Sequence, residues 1–100
     1  MKNKIVSIVG LGYVGLPTAC VIANCKNKKL KSIYKVNGID KNLNNLKANI
    51  LEAKFFSKIL SEDKSLRKSL SNAVTNNKIN FSKNINTIYN SDVIIVSINF

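Results

Sequence analysis

The chain has 100 residues, 45% of them hydrophobic and 21% charged, which suits one small folded domain and argues against wholesale disorder. No apolar run approaches the roughly 20 residues that a membrane-spanning helix needs. The first residues also lack the features of a signal peptide, so we expect a cytoplasmic protein with no membrane partner. Because the chain has no histidine, it cannot build a Cys/His zinc site or a histidine general base.

The net charge of +11 raises the possibility of a nucleic-acid partner. Fifteen of the sixteen basic residues are scattered lysines, however, and no known nucleic-acid-binding motif accompanies them, whereas nucleic-acid readers usually show arginine forks and exposed aromatic residues among their basic residues. We therefore interpret the lysines as a solvated surface and expect no nucleic-acid partner. Cys20 and Cys25 are interpreted as ordinary helix residues rather than a redox pair, and we predict no metal site.

The N-terminal part of the chain alternates between strand and helix patterns. The mostly β-branched run at residues 5–9 predicts a buried strand, and residues 14–25 predict a helix with Pro17 near its first turn. A lysine-rich loop is expected at residues 26–31. The alternating residues 33–39 then predict a second strand that ends at an acidic residue.

The rest of the chain continues the alternation with weaker signals. The expected elements are a helix over 42–51, a helix that begins near residues 61–63 with acids in its first turn, a strand at 78–82, a brief helix around 85–89, and an apolar strand at 93–98. Strands that alternate with helices predict an α/β fold with a parallel sheet, in which the first strand lies between the second and the last.

A glycine-rich motif of the form G-x-G-x-x-G follows the first predicted strand. It consists of Gly10, Leu11, Gly12, Tyr13, Val14 and Gly15. In the dinucleotide-binding motif, the first glycine permits a tight turn, the second lets the backbone approach a pyrophosphate, and the third allows the helix to pack on the sheet. The N–H groups around Tyr13 and Val14, at the start of the helix, would then face the pyrophosphate.

Asp40, at the end of the second strand, completes the dinucleotide-binding signature. A carboxylate there accepts hydrogen bonds from the adenosine ribose and repels the extra phosphate of NADP, so we predict NAD as the cofactor. Asp40 lies 25 residues after Gly15, beyond the usual ~20, and the lysine-rich loop accounts for the excess. As an alternative, the glycines form only a structural turn and Asp40 caps the next helix.

The segment Val9–Pro17 resembles the opening of the UDP-glucose/GDP-mannose dehydrogenases, the nucleotide-sugar 6-dehydrogenases. Residues 18–23, 36–40, 79–85 and 91–99 are also similar to this family. The resemblance implies a Rossmann-type parallel sheet with helices on both faces, incomplete at about four strands. Residues 1–100 are then the N-terminal portion of the NAD-binding domain, without its later strands or the substrate domain.

The family resemblance also implies an activity and cofactor contacts. It implies NAD-dependent, two-step oxidation of a UDP-sugar's primary alcohol to a uronic acid for polysaccharide biosynthesis, by an enzyme that is a homo-oligomer at full length. Residues 10–15 would hold the pyrophosphate, Asp40 the ribose, and Ile98 and Asn99 would lie beside the cofactor. Asn45 stands where the family commonly has a cofactor-contacting arginine.

Two further departures from the family pattern concern the rest of the chain. The family's Glu-Pro-Gly-Leu segment has no clear counterpart in residues 52–70, and Phe100 stands where a Thr-Pro pair usually follows the last strand. The family's nucleophilic cysteine and its lysine and asparagine partners belong to later segments, so we expect no catalytic residue here and no turnover by this chain alone. The alternatives are another dehydrogenase, of hydroxyacid or hydroxyacyl type, and a basic nucleic-acid-binding protein.

Overall fold

The computed structural model describes residues 3–41, 43 and 59–97. Its elements in chain order are β1 (Lys4–Val9), α1 (Gly15–Ala23), β2 (Tyr34–Ile39), α2 (Lys64–Thr75), β3 (Ile79–Ser82), a 3-10 helix (Ile85–Asn90) and β4 (Val93–Val96). A helical turn at residues 59–62 precedes α2. The helix expected over 42–51 and the end of the last strand at Ile98 lie outside the described residues.

The four strands form one parallel sheet in the order β3-β2-β1-β4. β1 pairs with β2 from Lys4 opposite Tyr34 to Val9 opposite Ile39, and with β4 from Val6 opposite Val93 onward. This order confirms the α/β prediction, with the first strand between the second and the last. It is the order that right-handed crossovers produce when the chain moves outward from β1 and then returns across it.

One face of the sheet carries the hydrophobic core. Alternate residues of β1 point to this face, and α1 and α2 both pack against it. The core side chains include Val6, Ile8, Leu16, Ala19, Cys20, Val36, Leu66, Leu70, Ala73 and Ile79. The Asn24 side-chain amide donates to the Ser69 carbonyl oxygen at 2.9 Å and so joins the two helices. Burial raises the pKa of the Cys20 thiol to about 12, which makes it a neutral core residue rather than a nucleophile.

The other face of the sheet carries polar contacts that the sequence analysis missed. Ser7 is fully buried, and its hydroxyl hydrogen bonds to the hydroxyl of Ser91, directly after the 3-10 helix. The side-chain amide of Asn37 also donates to Ser7 Oγ, at 3.4 Å. The 3-10 helix therefore lies across the face opposite to α1 and α2, so the described helices occupy both faces of the sheet.

The first helix and the loop after it differ in detail from the prediction. α1 begins at Gly15 rather than Val14, and it ends at Ala23 because the Cys25 N–H already turns back to the Ile22 carbonyl at 3.2 Å. The lysine-rich segment is a closed hairpin in which Lys26 pairs with Ser32.

Candidate functional site

The ends of all four strands converge at the carboxyl edge of the sheet. The Gly10 N–H donates to the Ile39 carbonyl at 2.8 Å, and the Ser97 N–H donates to the Val9 carbonyl at 2.7 Å. On the far side of β2, the Asp40 N–H donates to the Ser82 carbonyl oxygen at 3.0 Å. This edge is where open α/β sheets place their ligands, at the point where the strand order reverses between β1 and β4.

Gly10 makes the turn from β1 into the glycine-rich loop. Its φ is +98°, a backbone region that residues with a Cβ rarely adopt. A Cβ on Gly10 would also lie 1.7 Å from the carbonyl oxygen of Ser97, at the end of β4. Both observations confirm that the turn requires glycine at this position.

Gly15 lets the start of α1 lie directly against that turn. A Cβ on Gly15 would lie 1.8 Å from the Gly10 carbonyl oxygen, so any side chain would push the helix away from the sheet. No side chain caps the start of α1, and its first turn contains no acidic residue. The positive end of the helix dipole thus faces the carboxyl edge of the sheet, and no acidic side chain in the first turn of α1 neutralises it. This is the arrangement that an anion-binding helix start requires.

The residues between these glycines are divided between the core and the surface. Leu11 is fully buried and anchors the loop to the core, whereas the side chains of Tyr13 and Val14 are 50% and 63% exposed. The structure places Val14 at the N-cap of α1. Gly12 does not have a positive φ, so the local backbone conformation does not demand glycine there.

Asp40 joins the end of β2 to the glycine-rich loop. Its Oδ2 accepts a hydrogen bond from the Leu11 N–H at 2.9 Å, which holds the half-buried carboxylate beside the loop. The Asp40 carbonyl oxygen accepts from the Leu43 N–H at 3.1 Å. Two parts of the predicted signature, far apart in the chain, are therefore in direct contact. The helix that Asp40 was alternatively expected to cap lies outside the described residues.

The remaining predicted site residues, Asn45, Ile98 and Asn99, lie outside the described residues. Ser97 was not predicted as a site residue; it is half-buried, its carbonyl packs against Gly10 and its Cβ approaches Gly15. A polar residue directly after an apolar strand was the available signal.

Within the described part of the chain, no three His, Cys, Asp or Glu side chains are grouped as a metal site would need. None of the described helices has the length and apolar character to span a membrane.

The sequence matches the family model described as "UDP-glucose/GDP-mannose dehydrogenase family, NAD binding domain" over residues 4–100. No curated protein matches the sequence. Among solved structures, a UDP-D-ManNAc dehydrogenase from Pyrococcus horikoshii superposes with a TM-score of 0.63 at 23% identity. The match covers 94% of this chain but 20% of the other, so the present chain spans about one fifth of that protein's length.

The structural likeness supports the Rossmann-type fold, and the family match supplies the assignment. Because the matched segment is an NAD-binding domain, the cofactor is NAD, as the sequence predicted. The alternatives of a hydroxyacid or hydroxyacyl dehydrogenase and of a basic nucleic-acid-binding protein are not favoured. The chain belongs to the UDP-glucose/GDP-mannose dehydrogenase family, in which it corresponds to the NAD-binding domain.

Proposed function

We propose that this chain is the cofactor-holding part of a nucleotide-sugar 6-dehydrogenase. The enzyme would oxidise the primary alcohol of a UDP-sugar to a uronic acid in two steps, in which two NAD molecules would each accept one hydride and water would supply the second carboxylate oxygen. The observation that carries the proposal is the hydrogen bond between the Asp40 carboxylate and the Leu11 N–H, because it joins the ribose-binding acid to the glycine-rich loop. The family match supports the reaction class.

The glycine-rich loop and the start of α1 would bind the NAD pyrophosphate. The loop leaves the sheet at Gly10, and the start of α1 presents neither a capping side chain nor an acidic residue that would compete with phosphate. At Gly12 the backbone would approach the phosphates closely, which explains a glycine that the local conformation does not require.

Asp40 would accept hydrogen bonds from the adenosine ribose hydroxyls. A carboxylate can accept several hydrogen bonds at once, so its bond to Leu11 is compatible with ribose binding. The same negative charge would repel the 2′-phosphate of NADP, which makes Asp40 the proposed determinant of NAD preference. Following the family resemblance, Asn45, Ile98 and Asn99 complete the proposed set of cofactor contacts.

The remaining proposals concern the whole enzyme. The catalytic residues would lie in segments outside this chain, so the chain alone should bind NAD without oxidising a sugar. We also propose a homo-oligomeric, cytoplasmic enzyme of polysaccharide biosynthesis that binds neither nucleic acid nor membrane. The two free cysteines are consistent with a reducing compartment.

Asp40→Asn tests the proposed site directly. Asparagine keeps an acceptor for the Leu11 N–H but removes the charge, so the loop should fold while the ribose contact weakens. In calorimetric titrations we expect NAD affinity to fall about tenfold, the size typical of a lost charged hydrogen bond, and the preference for NAD over NADP to narrow.

Glu62→Gln is the matched control, because it removes one negative charge from an exposed residue that precedes α2. It should leave both affinities unchanged. Unaltered NAD affinity in Asp40→Asn, or equal affinity of the unsubstituted chain for NAD and NADP, would contradict the assignment of Asp40.

A further inference from the structure

The edge of the sheet where the strands begin carries a groove bordered by lysine side chains. It has a volume of about 840 Å³; the described residues that line it include four lysines, Lys4, Lys29, Lys31 and Lys78, and none of them is acidic. The size falls within the range of small-molecule sites, roughly 300–1,000 Å³. Because β1 is six residues long, the groove lies on the order of 20 Å from the carboxyl edge that holds the glycine-rich loop.

Two of the lysines are fixed by the ends of the sheet. Lys4 opens β1, and its N–H donates to the Ile33 carbonyl at 3.2 Å. Lys78 directly precedes β3. Its N–H donates to the Ala73 carbonyl oxygen at 2.9 Å, and its own carbonyl oxygen accepts from the Val36 N–H at 2.9 Å. The sheet itself therefore sets the spacing of these two positions.

The other two lysines belong to the hairpin at residues 26–32. The side-chain Oδ1 of Asn27 accepts from the N–H groups of Lys29 and Lys31 at 2.9 and 3.1 Å, and the Asn27 N–H donates to the Lys31 carbonyl at 2.9 Å. Leu30 between them adopts a left-handed conformation with φ 60°. These bonds hold the backbone of both lysines in one arrangement, so both side chains leave the hairpin from fixed positions.

The composition of the groove indicates the chemistry of its ligand. Lysine ammonium groups bind phosphate as point charges, and several on one groove favour an anion that carries several charges. Among the described residues of the lining there is no arginine for bidentate contacts with bases and no aromatic residue on which bases could stack. A small polyphosphate therefore matches the groove better than a nucleic acid does.

We propose that this groove is a second ligand site that binds a di- or triphosphate group, at the edge of the sheet opposite to the cofactor. Inorganic polyphosphate and the phosphates of a nucleotide present the same chemistry to the four lysines. The site is independent of Asp40 and of the glycine-rich loop, so it stands whether or not NAD binds at the carboxyl edge.

Amide chemical shifts of the 15N-labelled 100-residue chain locate the binding. Titration with inorganic tripolyphosphate should shift residues 27–31 and Lys78, with an affinity that falls as salt is added. Parallel titration with UDP separates the two sources, since tighter binding of UDP at these residues identifies a nucleotide. Shifts at residues 10–15 alone would overturn the proposal.

Charge-matched double variants separate the groove from the general basicity of the chain. Replacing the two hairpin lysines that line the groove, Lys29→Gln with Lys31→Gln, should weaken tripolyphosphate binding about tenfold, because two of the four groove cations are lost. The control pair Lys64→Gln with Lys68→Gln removes the same charge from exposed positions of α2 and should have little effect. Equal losses in both pairs would contradict a local site, as would binding to an oligonucleotide that is tighter than to tripolyphosphate and strengthens with its length.

Discussion

Gly10 has a φ of +98°, and a Cβ there would lie 1.7 Å from the Ser97 carbonyl oxygen, whereas Gly12 has no positive φ. The two glycines of one motif are thus required for different reasons. Gly10 is needed by the fold, because neither its backbone conformation nor its surroundings accept a side chain. Under the proposed assignment, Gly12 would instead be needed by NAD, because a Cβ would stand where the pyrophosphate approaches.

Alanine substitutions separate these two requirements. Gly10→Ala should lower the free energy of unfolding by about 3 kcal/mol or more, or prevent folding, because strain and a steric clash add at one site. Gly12→Ala should leave stability within about 1 kcal/mol of the unsubstituted chain but weaken NAD binding about tenfold. Urea denaturation and NAD titration measure the two effects, and a Gly12→Ala chain with full NAD affinity would contradict this account.

Single residues differ in how far the sequence could predict them. The turn at Gly10 and the position of Asp40 beside the glycine-rich loop were predictable because both follow from a motif with fixed geometry. The contact between Ser7 and Ser91 was not, because the two residues lie 84 positions apart and pair only through the register of β1 with β4. Local patterns carry no information about such a register.

At the scale of elements, α2 shows how a helix start is set by one side chain. Asp63 is the N-cap, and its Oδ1 accepts from the Leu66 N–H at 3.1 Å and from the Ser65 hydroxyl at 2.7 Å. The first turn of α2 contains no acidic residue, so the prediction of acids in that turn was wrong. The two acidic residues lie outside that turn: Asp63 is the N-cap, and Glu62 belongs to the preceding helical turn.

Asp63→Ala should destabilise the chain, whereas Asp63→Ser should retain most of the stability because serine also caps helices. The hydrogen bonds from the Ser65 hydroxyl and the Leu66 N–H lower the pKa of Asp63 in the folded state. Its contribution is therefore fully present above the ordinary carboxyl pKa of about 3.9, and it is lost as the pH falls through the lower folded-state value. Urea denaturation midpoints should be measured at pH 7 and in this acidic range. The difference in midpoint between the unsubstituted chain and Asp63→Ala should be smaller in acid than at pH 7. A difference that persists in full at the acid end would contradict the role of the carboxylate.

The sequence predicted the strands and most helices because β-branched runs and three-to-four spacings of apolar residues are local signals. It did not predict the hairpin at residues 26–32. That hairpin depends on the Asn27 side chain and on Leu30 at φ 60°, a conformation usually marked by glycine or asparagine. Asparagine at the start of the segment was the signal available, since its side chain often closes such turns.

At the scale of the whole molecule, β4 is an edge strand of the described sheet. It pairs only with β1 there, and it leaves three apolar side chains, Val93, Ile94 and Val96, 47–60% exposed. An exposed apolar edge strand offers unpaired backbone groups to another strand. The order of the sheet was predictable because crossover handedness restricts it, and the exposed edge follows from that order.

We therefore expect the 100-residue chain to associate through β4 as its concentration rises. Ile94→Lys should suppress this association by placing a charge on the edge. Val21→Lys is the control, because it adds the same charge to an exposed apolar position of α1, whose backbone groups are paired within the helix. Sedimentation at physiological salt measures both, and equal suppression by the two variants would indicate that net charge, not the strand edge, governs association.

We propose that the glycine-rich loop and Asp40 hold NAD at the carboxyl edge of the sheet. Amide chemical shifts recorded while the 15N-labelled chain is titrated with NAD test it most directly, because they identify the residues that contact the ligand. We expect shifts at residues 10–15 and at Asp40, and we expect them to persist when Lys29 and Lys31 are replaced by glutamine, because any binding of the NAD pyrophosphate to the groove lysines is separate from this site. Shifts confined to residues 27–31, or no shift within the loop at saturating NAD, would contradict it.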